Sequence, residues 1–253
     1  MKNLFDVSGK VVLVTGGSRG IGRMIALGFV DNGATVYISS RKSAACDQAA
    51  LELSSRGICH SIPADVGTPD GRAEVISALE RVERHLDVLV NNAGATWGAP
   101  LDLYPEDGWD KVFNTNTKGV FFLTQALLPL LRKSPYPPSR VINIASVNGL
   151  TPPPAENYAY SASKAACIML TRHLAKRLAS EGILVNAIAP GPFQTDMMAT
   201  TLAEKRDEYI ARNPVGRLGE AEDIAGTTLF LAARASAYLT GAVLPCDGGV
   251  AEV

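Results

Sequence analysis

Short apolar runs alternate with longer amphipathic stretches along the whole chain. The runs Lys10–Val14, Ala34–Ile38, Ile58–Pro63, Asp87–Asn91, Arg140–Ile144, Leu184–Ile188 and Ala242–Pro245 read as strands, and most are rich in Val, Ile and Leu. Between them, apolar positions recur at three- and four-residue spacing. This predicts helices over Gly20–Asn32, Ser43–Arg56, Pro69–His85, Glu106–Lys133, Asn157–Glu181 and Ala221–Ala233. Near-continuous apolar strands separated by helices predict an α/β fold, a doubly wound parallel sheet with helices on both faces.

Ligands of such sheets bind beyond the carboxyl ends of the strands, so the residues just after each strand carry the most information. No internal repeat and no linker divides the chain, and its 253 residues fit one Rossmann-type domain spanning 1–253. The proline clusters Pro135–Pro138 and Pro152–Pro154 predict loops, since proline breaks both helix and sheet ladders. The stretch from Gly191 to Pro214 has helical pieces but no strand, and reads as a flap over the site.

Composition adds exclusions. With 47% hydrophobic residues, 19% charged residues and a net charge of −1, the chain reads as globular, without the basic footprint of a nucleic-acid binder or a membrane-surface protein. The four cysteines, Cys46, Cys59, Cys167 and Cys246, form no CxxC pair and read as reduced, buried thiols. The first residues lack a signal-peptide core, and no run of 18 apolar residues is present, so a cytoplasmic location is expected. His60, His85 and His173 are scattered, and no metal site is expected.

After the first strand comes Thr15-Gly16-Gly17-Ser18-Arg19-Gly20-Ile21-Gly22, a T-G-x-x-x-G-x-G turn that opens the first helix. Glycines there allow a tight turn and a close approach of backbone to a pyrophosphate, while the helix N-terminus offers free N–H groups. The second strand leads into Ser39-Ser40-Arg41-Lys42. An NAD enzyme would place a carboxylate there for the ribose 2′-OH. Arg41 instead offers a planar fork for a 2′-phosphate, and Arg19 is expected to approach that phosphate from the other side. NADP(H) is therefore expected over NAD(H). Asp65-Val66, after the third strand, would receive the adenine amine. Asn92-Ala93-Gly94, after the fourth, would let the cofactor lie against backbone.

Tyr160 and Lys164 lie at i and i+4, on one face of a predicted helix. An isolated tyrosine ionises near pH 10, a poor match to proton transfer near neutrality, and a neighbouring ammonium favours the phenolate. Ser146 follows a strand, at the same edge, where its hydroxyl would meet a substrate carbonyl. Trp97, close behind Asn92–Gly94, would reach the substrate pocket, with core or interface packing as the alternative.

Taken together, TGGSRGIG, NNAG, Asn116 of NTNTKG, Ser146, YSASK, and Pro190-Gly191 with Thr195 in PGPFQTDM resemble the classical short-chain dehydrogenase/reductase family over nearly the whole length. The phrases VTGGSRGIG, NNAGATWG and LLPLLR are most similar to its 3-oxoacyl reductase branch, which includes the 3-oxoacyl thioester reductases of rhamnolipid synthesis.

The resemblance implies that Tyr160 gives or takes the proton and that Ser146 positions the carbonyl. It implies that Lys164 binds the nicotinamide ribose and favours ionisation of the tyrosine, and that Asn116 holds a relay water. Pro190, Gly191 and Thr195 would border the nicotinamide amide. It also implies a small-molecule carbonyl or alcohol substrate, with an acyl thioester among the candidates, and a homotetramer or homodimer. Tyr160 falls one residue further from Ser146 than is commonest in the family, and the Thr151–Pro154 loop can absorb it. Carrier-protein reductases of the family usually carry a basic residue where this chain has Glu181, and Arg132 and Lys133 partly restore that charge. The competing readings are a sugar, polyol or sterol dehydrogenase and a non-catalytic NADP(H)-binding regulator.

Overall fold

The computed structural model describes residues 2–153 and 155–251; Pro154, the last of its proline run, lies outside them, as do Met1, Glu252 and Val253. Seven strands form one sheet: β1 (Val11–Thr15), β2 (Thr35–Ser40), β3 (Ile58–Pro63), β4 (Val88–Asn91), β5 (Ser139–Ile144), β6 (Ile183–Pro190) and β7 (Val243–Cys246). Their order is β3-β2-β1-β4-β5-β6-β7, and every pairing is parallel. The order reverses between β1 and β4, and a reversal of this kind opens a crevice at the carboxyl ends of the strands.

Among the described residues the α-helices are α1 (Gly20–Asp31), α2 (Ser43–Ser54), α3 (Pro69–Val82), α4 (Glu106–Phe113), α5 (Val120–Leu131), α6 (Tyr158–Leu178), α7 (Ala199–Ala211) and α8 (Ala221–Ala232). They cover both faces of the sheet. Alternation along β1 shows why: Val12 and Val14 join Ile25, Phe29 and Leu231 in one core, while Val11 and Leu13 join Leu79, Leu127 and Ala175 in the other. The central strands β1, β4, β5 and β6 are buried along their whole length, whereas the edge strands β3 and β7 are not.

Local chemistry sets the helix ends. Gly33 takes φ +78 and turns the chain from α1 into β2. Thr68 caps α3, accepting from the Gly71 amide at 3.1 Å, and Pro69 occupies the first helical position. Several expected helices differ from those observed; the one expected over Asn157–Glu181 is α-helical only over Tyr158–Leu178 and tightens to a 3-10 turn over Ala179–Glu181. The second ends at Ser54, whose hydroxyl bonds to the carbonyls of Ala50 and Cys59. The third stops at Val82 because Glu83 is extended and accepts from the Tyr37 hydroxyl, and His85 turns to Asp87 at 3.3 Å. The long helix from Glu106 is interrupted by a π-turn, Asn114–Gly119, and ends at Leu131. A π-turn costs hydrogen-bond quality and occurs mostly where function needs a widened backbone.

Candidate active site

The crevice is closed at its floor by bonds between the turn after β1 and the loop after β4. The Thr15 hydroxyl donates to the Val90 carbonyl and accepts from the amides of Asn92 and Ala93, both at 3.0 Å. Asn92 Nδ2 returns to the carbonyls of Thr15 and Gly16 at 2.8 and 3.2 Å. A Cβ on Gly22 would stand 2.3 Å from the Gly16 carbonyl oxygen, so only glycine lets α1 start this close to the turn. Thr15 was part of the motif in the sequence, yet its role as the bolt between two loops becomes visible only in three dimensions.

The chemistry of this edge fits NADP(H). No side chain caps the N-terminus of α1, and no acid sits in its first turn, so its N–H groups suit an anion. Ser18 is half-buried in the turn, and Ile21 packs against the core. At the end of β2, the hydroxyls of Ser39 and Ser40 are buried and find no hydrogen-bond partner among the described residues, next to Arg41. Orphaned donors beside a guanidinium are what a phosphate would satisfy.

Arg41 lies 4.0 Å from Asp65, whose other carboxylate oxygen accepts from the Gly67 amide at 2.9 Å. Val66 is buried, and its carbonyl accepts from Arg72. Arg19 is exposed and takes an acidic partner in this structure. Its guanidinium pairs with Asp196 of the 191–214 stretch at 3.1 Å. Thr195 lies against the same turn, 3.4 Å from where a Gly20 Cβ would be. Pro190 ends β6, and Gly191 is held by the Cys246 carbonyl, with no room for a Cβ against Asp247.

The next strand edge brings the expected catalytic residues together. Ser146 lies two residues past the end of β5, is 7% exposed, and accepts from the Asn148 amide at 3.1 Å. Tyr160 lies in the first turn of α6 and Lys164 one turn on, with Nζ 5.6 Å from the tyrosine ring centroid. Lys164 is buried and donates to the Ile144 carbonyl at 2.7 Å, so its ammonium reaches back to the end of β5. A Cβ on Gly94 would meet Lys164 Nζ at 3.8 Å and Asn116 Oδ1 at 3.5 Å, which places all three at one point.

Asn116 sits in the π-turn and is buried. Its Oδ1 accepts from the Ala95 amide, and its Nδ2 donates to the Ala95 carbonyl and to Ser163 Oγ. Both amide protons are committed, which leaves the main chain and the second lone pair of Oδ1 to hold a water. Ser163 in turn donates to the Tyr160 carbonyl at 2.8 Å. The sequence reading did not single out Ser163; its place inside YSASK was the only available signal.

A family profile described as enoyl-(acyl carrier protein) reductase matches residues 16–251. The rhamnolipids biosynthesis 3-oxoacyl-[acyl-carrier-protein] reductase of Pseudomonas aeruginosa is 46% identical over 253 residues, covering 98% of this chain and 99% of the relative. The chain belongs to the short-chain dehydrogenase/reductase family. The solved Pseudomonas aeruginosa RhlG/NADP active-site complex superposes with a TM-score of 0.95 at 45% identity, with 100% of each chain covered. The gluconate 5-dehydrogenase of Gluconobacter oxydans is 35% identical over 257 residues, covering 98% of this chain and 97% of the relative.

Three sequence expectations of this short-chain dehydrogenase/reductase change in the structure. Arg132 does not stand free to attract an acidic partner: it pairs with Glu181 at 2.6 Å, and Arg177 pairs with the same carboxylate. The two guanidiniums hold the Glu181 carboxyl below its ordinary range. Trp97 packs over the position of Gly108, with the Lys111 ammonium 5.3 Å from its ring centre, so α4 takes the indole. Cys246 is only half-buried, since it ends the edge strand β7.

Proposed function

We propose that this chain reduces a ketone to a secondary alcohol at the expense of NADPH and runs the reverse reaction with NADP+, with a 3-oxoacyl thioester as the leading substrate class. The observation that carries this reading is the convergence of Ser146, Tyr160 and Lys164 at the carboxyl edge of β5, beside Gly94 and Asn116. Bound NADPH supplies the hydride. The glycine turn of Gly16, Ser18, Arg19, Gly20, Ile21 and Gly22 holds its pyrophosphate, while Ser40 and Arg41 take the 2′-phosphate. Asp65 and Val66 border the adenine, and Asn92, Ala93 and Gly94 form the floor. Pro190, Gly191 and Thr195 border the nicotinamide amide.

In reduction, Ser146 donates a hydrogen bond to the carbonyl oxygen and holds it against Tyr160. The Tyr160 hydroxyl gives its proton to that oxygen as negative charge develops there. The Lys164 ammonium stabilises the phenolate left behind and binds the ribose. Asn116 supports reprotonation by holding a relay water as an acceptor, since both of its side-chain protons are engaged. One domain carries the whole site, and the 191–214 stretch covers it as a flap. We place the protein in the cytoplasm; among the described residues no helix is long and apolar enough to cross a membrane.

We also propose a homodimer or homotetramer. Two observations support it: β7 ends the sheet with Val243 and Leu244 only half-buried, and Trp109, Phe122 and Met169 are exposed on α4, α5 and α6. Light scattering on the purified protein tests this, and a monomeric mass overturns it.

The deciding experiment follows NADPH absorbance with 3-oxoacyl thioesters (free, coenzyme A-bound and carrier-bound), ketosugars, cyclic diketones and steroids, using wild type and Tyr160→Phe. Turnover that collapses in the variant while NADPH still binds supports the reading, and the best ketone names the branch. The similarity to a gluconate 5-dehydrogenase favours a second reading, oxidation of a sugar acid or polyol, which the same panel separates. Tight NADPH binding without turnover of any ketone favours a non-catalytic regulator.

A further inference from the structure

The loop between Ser146 and α6 holds one residue more than the commonest family spacing, and the structure gives that loop a task. The Glu156 carbonyl accepts from the Ala99 amide at 3.2 Å. The Glu156 carboxylate, through a single oxygen, accepts from the Leu101 amide at 3.4 Å and from the Tyr158 hydroxyl at 3.2 Å. The Tyr158 ring meets Tyr104 edge-on with centroids 5.7 Å apart, and the Tyr104 hydroxyl donates to the Trp97 carbonyl at 3.0 Å. Two segments are thereby tied side by side. One runs from Gly94 to Pro105 and begins at the cofactor floor. The other leads into α6, where the Asn157 carbonyl accepts from the Tyr160 amide at 2.9 Å.

We propose that Glu156 is a positioning residue that sets the distance between these two walls of the substrate entrance. This rests on the reading of Ser146 and Tyr160 as the carbonyl site. Glu156 lies four positions before Tyr160, and Ala95 (clamped by Asn116) four positions before Ala99, so the strap spans the two short tethers that leave the catalytic centre. A rigid strap there fixes how a ketone enters without touching the cofactor. The carboxylate works as a hydrogen-bond acceptor for two donors, so the amide oxygen of a glutamine replaces it, while alanine removes it.

Both tryptophans of the chain report on this strap, Trp97 within the first segment and Trp109 edge-on to Tyr104 at 6.3 Å. The test compares Glu156→Ala and Glu156→Gln with wild type by acrylamide quenching of tryptophan emission and by ketone kinetics. In Glu156→Ala, quenching rises and KM for the best ketone rises about five-fold, the scale of one net hydrogen bond, while kcat and NADPH affinity stay within about two-fold. Glu156→Gln matches wild type in both measurements.

Unchanged quenching in Glu156→Ala overturns the assignment, as does a Glu156→Gln that behaves like the alanine variant. Raised quenching with an unaltered KM overturns the positioning role, because the loop is then tied for stability alone. A wild type that turns over no ketone defeats the catalytic reading, and quenching still decides whether Glu156 holds the strap.

Discussion

Asn116 Nδ2 donates to Ser163 Oγ across 2.9 Å, and this bond joins the π-turn to the helix that carries Tyr160 and Lys164. Ser163 has one proton, which it gives to the Tyr160 carbonyl, so towards Asn116 it can only accept. Ser163→Ala leaves a buried amide proton without that acceptor. We expect kcat to fall about ten-fold and stability to drop by about 1–2 kcal/mol, with NADPH affinity retained. Steady-state kinetics, cofactor titration and denaturant melts measure the three quantities separately.

Tyr160→Phe removes the proton donor and leaves the ring in place. The expected loss in kcat is about 10³-fold, typical of an acid–base group, with NADPH binding close to wild type. Residual turnover above a tenth of wild type would move the proton to another group.

Arg41→Met takes away the fork beside the orphaned hydroxyls of Ser39 and Ser40. NADPH affinity should weaken by about 10–100-fold, as expected for a lost charge-assisted bond, and NADH affinity should hardly change. Fluorescence titration with both cofactors checks this, and a parallel loss for both would show that Arg41 does not read the phosphate.

Arg140 is 3% exposed and donates to the carbonyls of Leu231 and Ala233, closing the C-terminal end of α8, and to Pro138. Burial pushes its guanidinium down to about 10, still charged at neutral pH. Arg140→Met strands buried carbonyls at the helix end, and we expect a loss of about 2–3 kcal/mol in unfolding free energy by urea titration.

Arg217 grips Asp223 through two bonds, at 2.6 and 2.9 Å, and holds its carboxyl down at about 2. The folded value lies below the ordinary 3.8, so the contribution to stability is present above pH 4 and is lost as pH falls from about 4 to 2. Arg217→Met should flatten that part of the pH–stability curve, which thermal melts across pH 2–6 would show. The pair is partly exposed, so the effect at neutral pH is small.

Much of this was legible in the residues alone. All seven strands were read from local runs: the central ones because a strand buried on both faces leaves a continuous apolar signature, and the part-exposed edge strands β3 and β7 from shorter runs in the same alternation with helices. The glycine turn and the i, i+4 pair of Tyr160 and Lys164 are likewise short-range patterns. The π-turn was not legible: Glu106–Leu131 keeps helical periodicity throughout, and one wider turn changes no residue type.

What the sequence by itself determined was the order of elements, the family and the residues placed at strand ends, since each depends on neighbours a few positions away. Only the tertiary structure decided the partners. Arg19 was drawn to Asp196, 177 positions on, and Arg132 to Glu181, because a free guanidinium pairs with whichever carboxylate the fold brings near. Asn116 and Ser163 lie 47 residues apart and meet because the π-turn and α6 pack on one edge of the sheet. A local pattern can state which groups are available, but hydrogen bonds and ion pairs depend on distance in space, which the folded sheet alone sets.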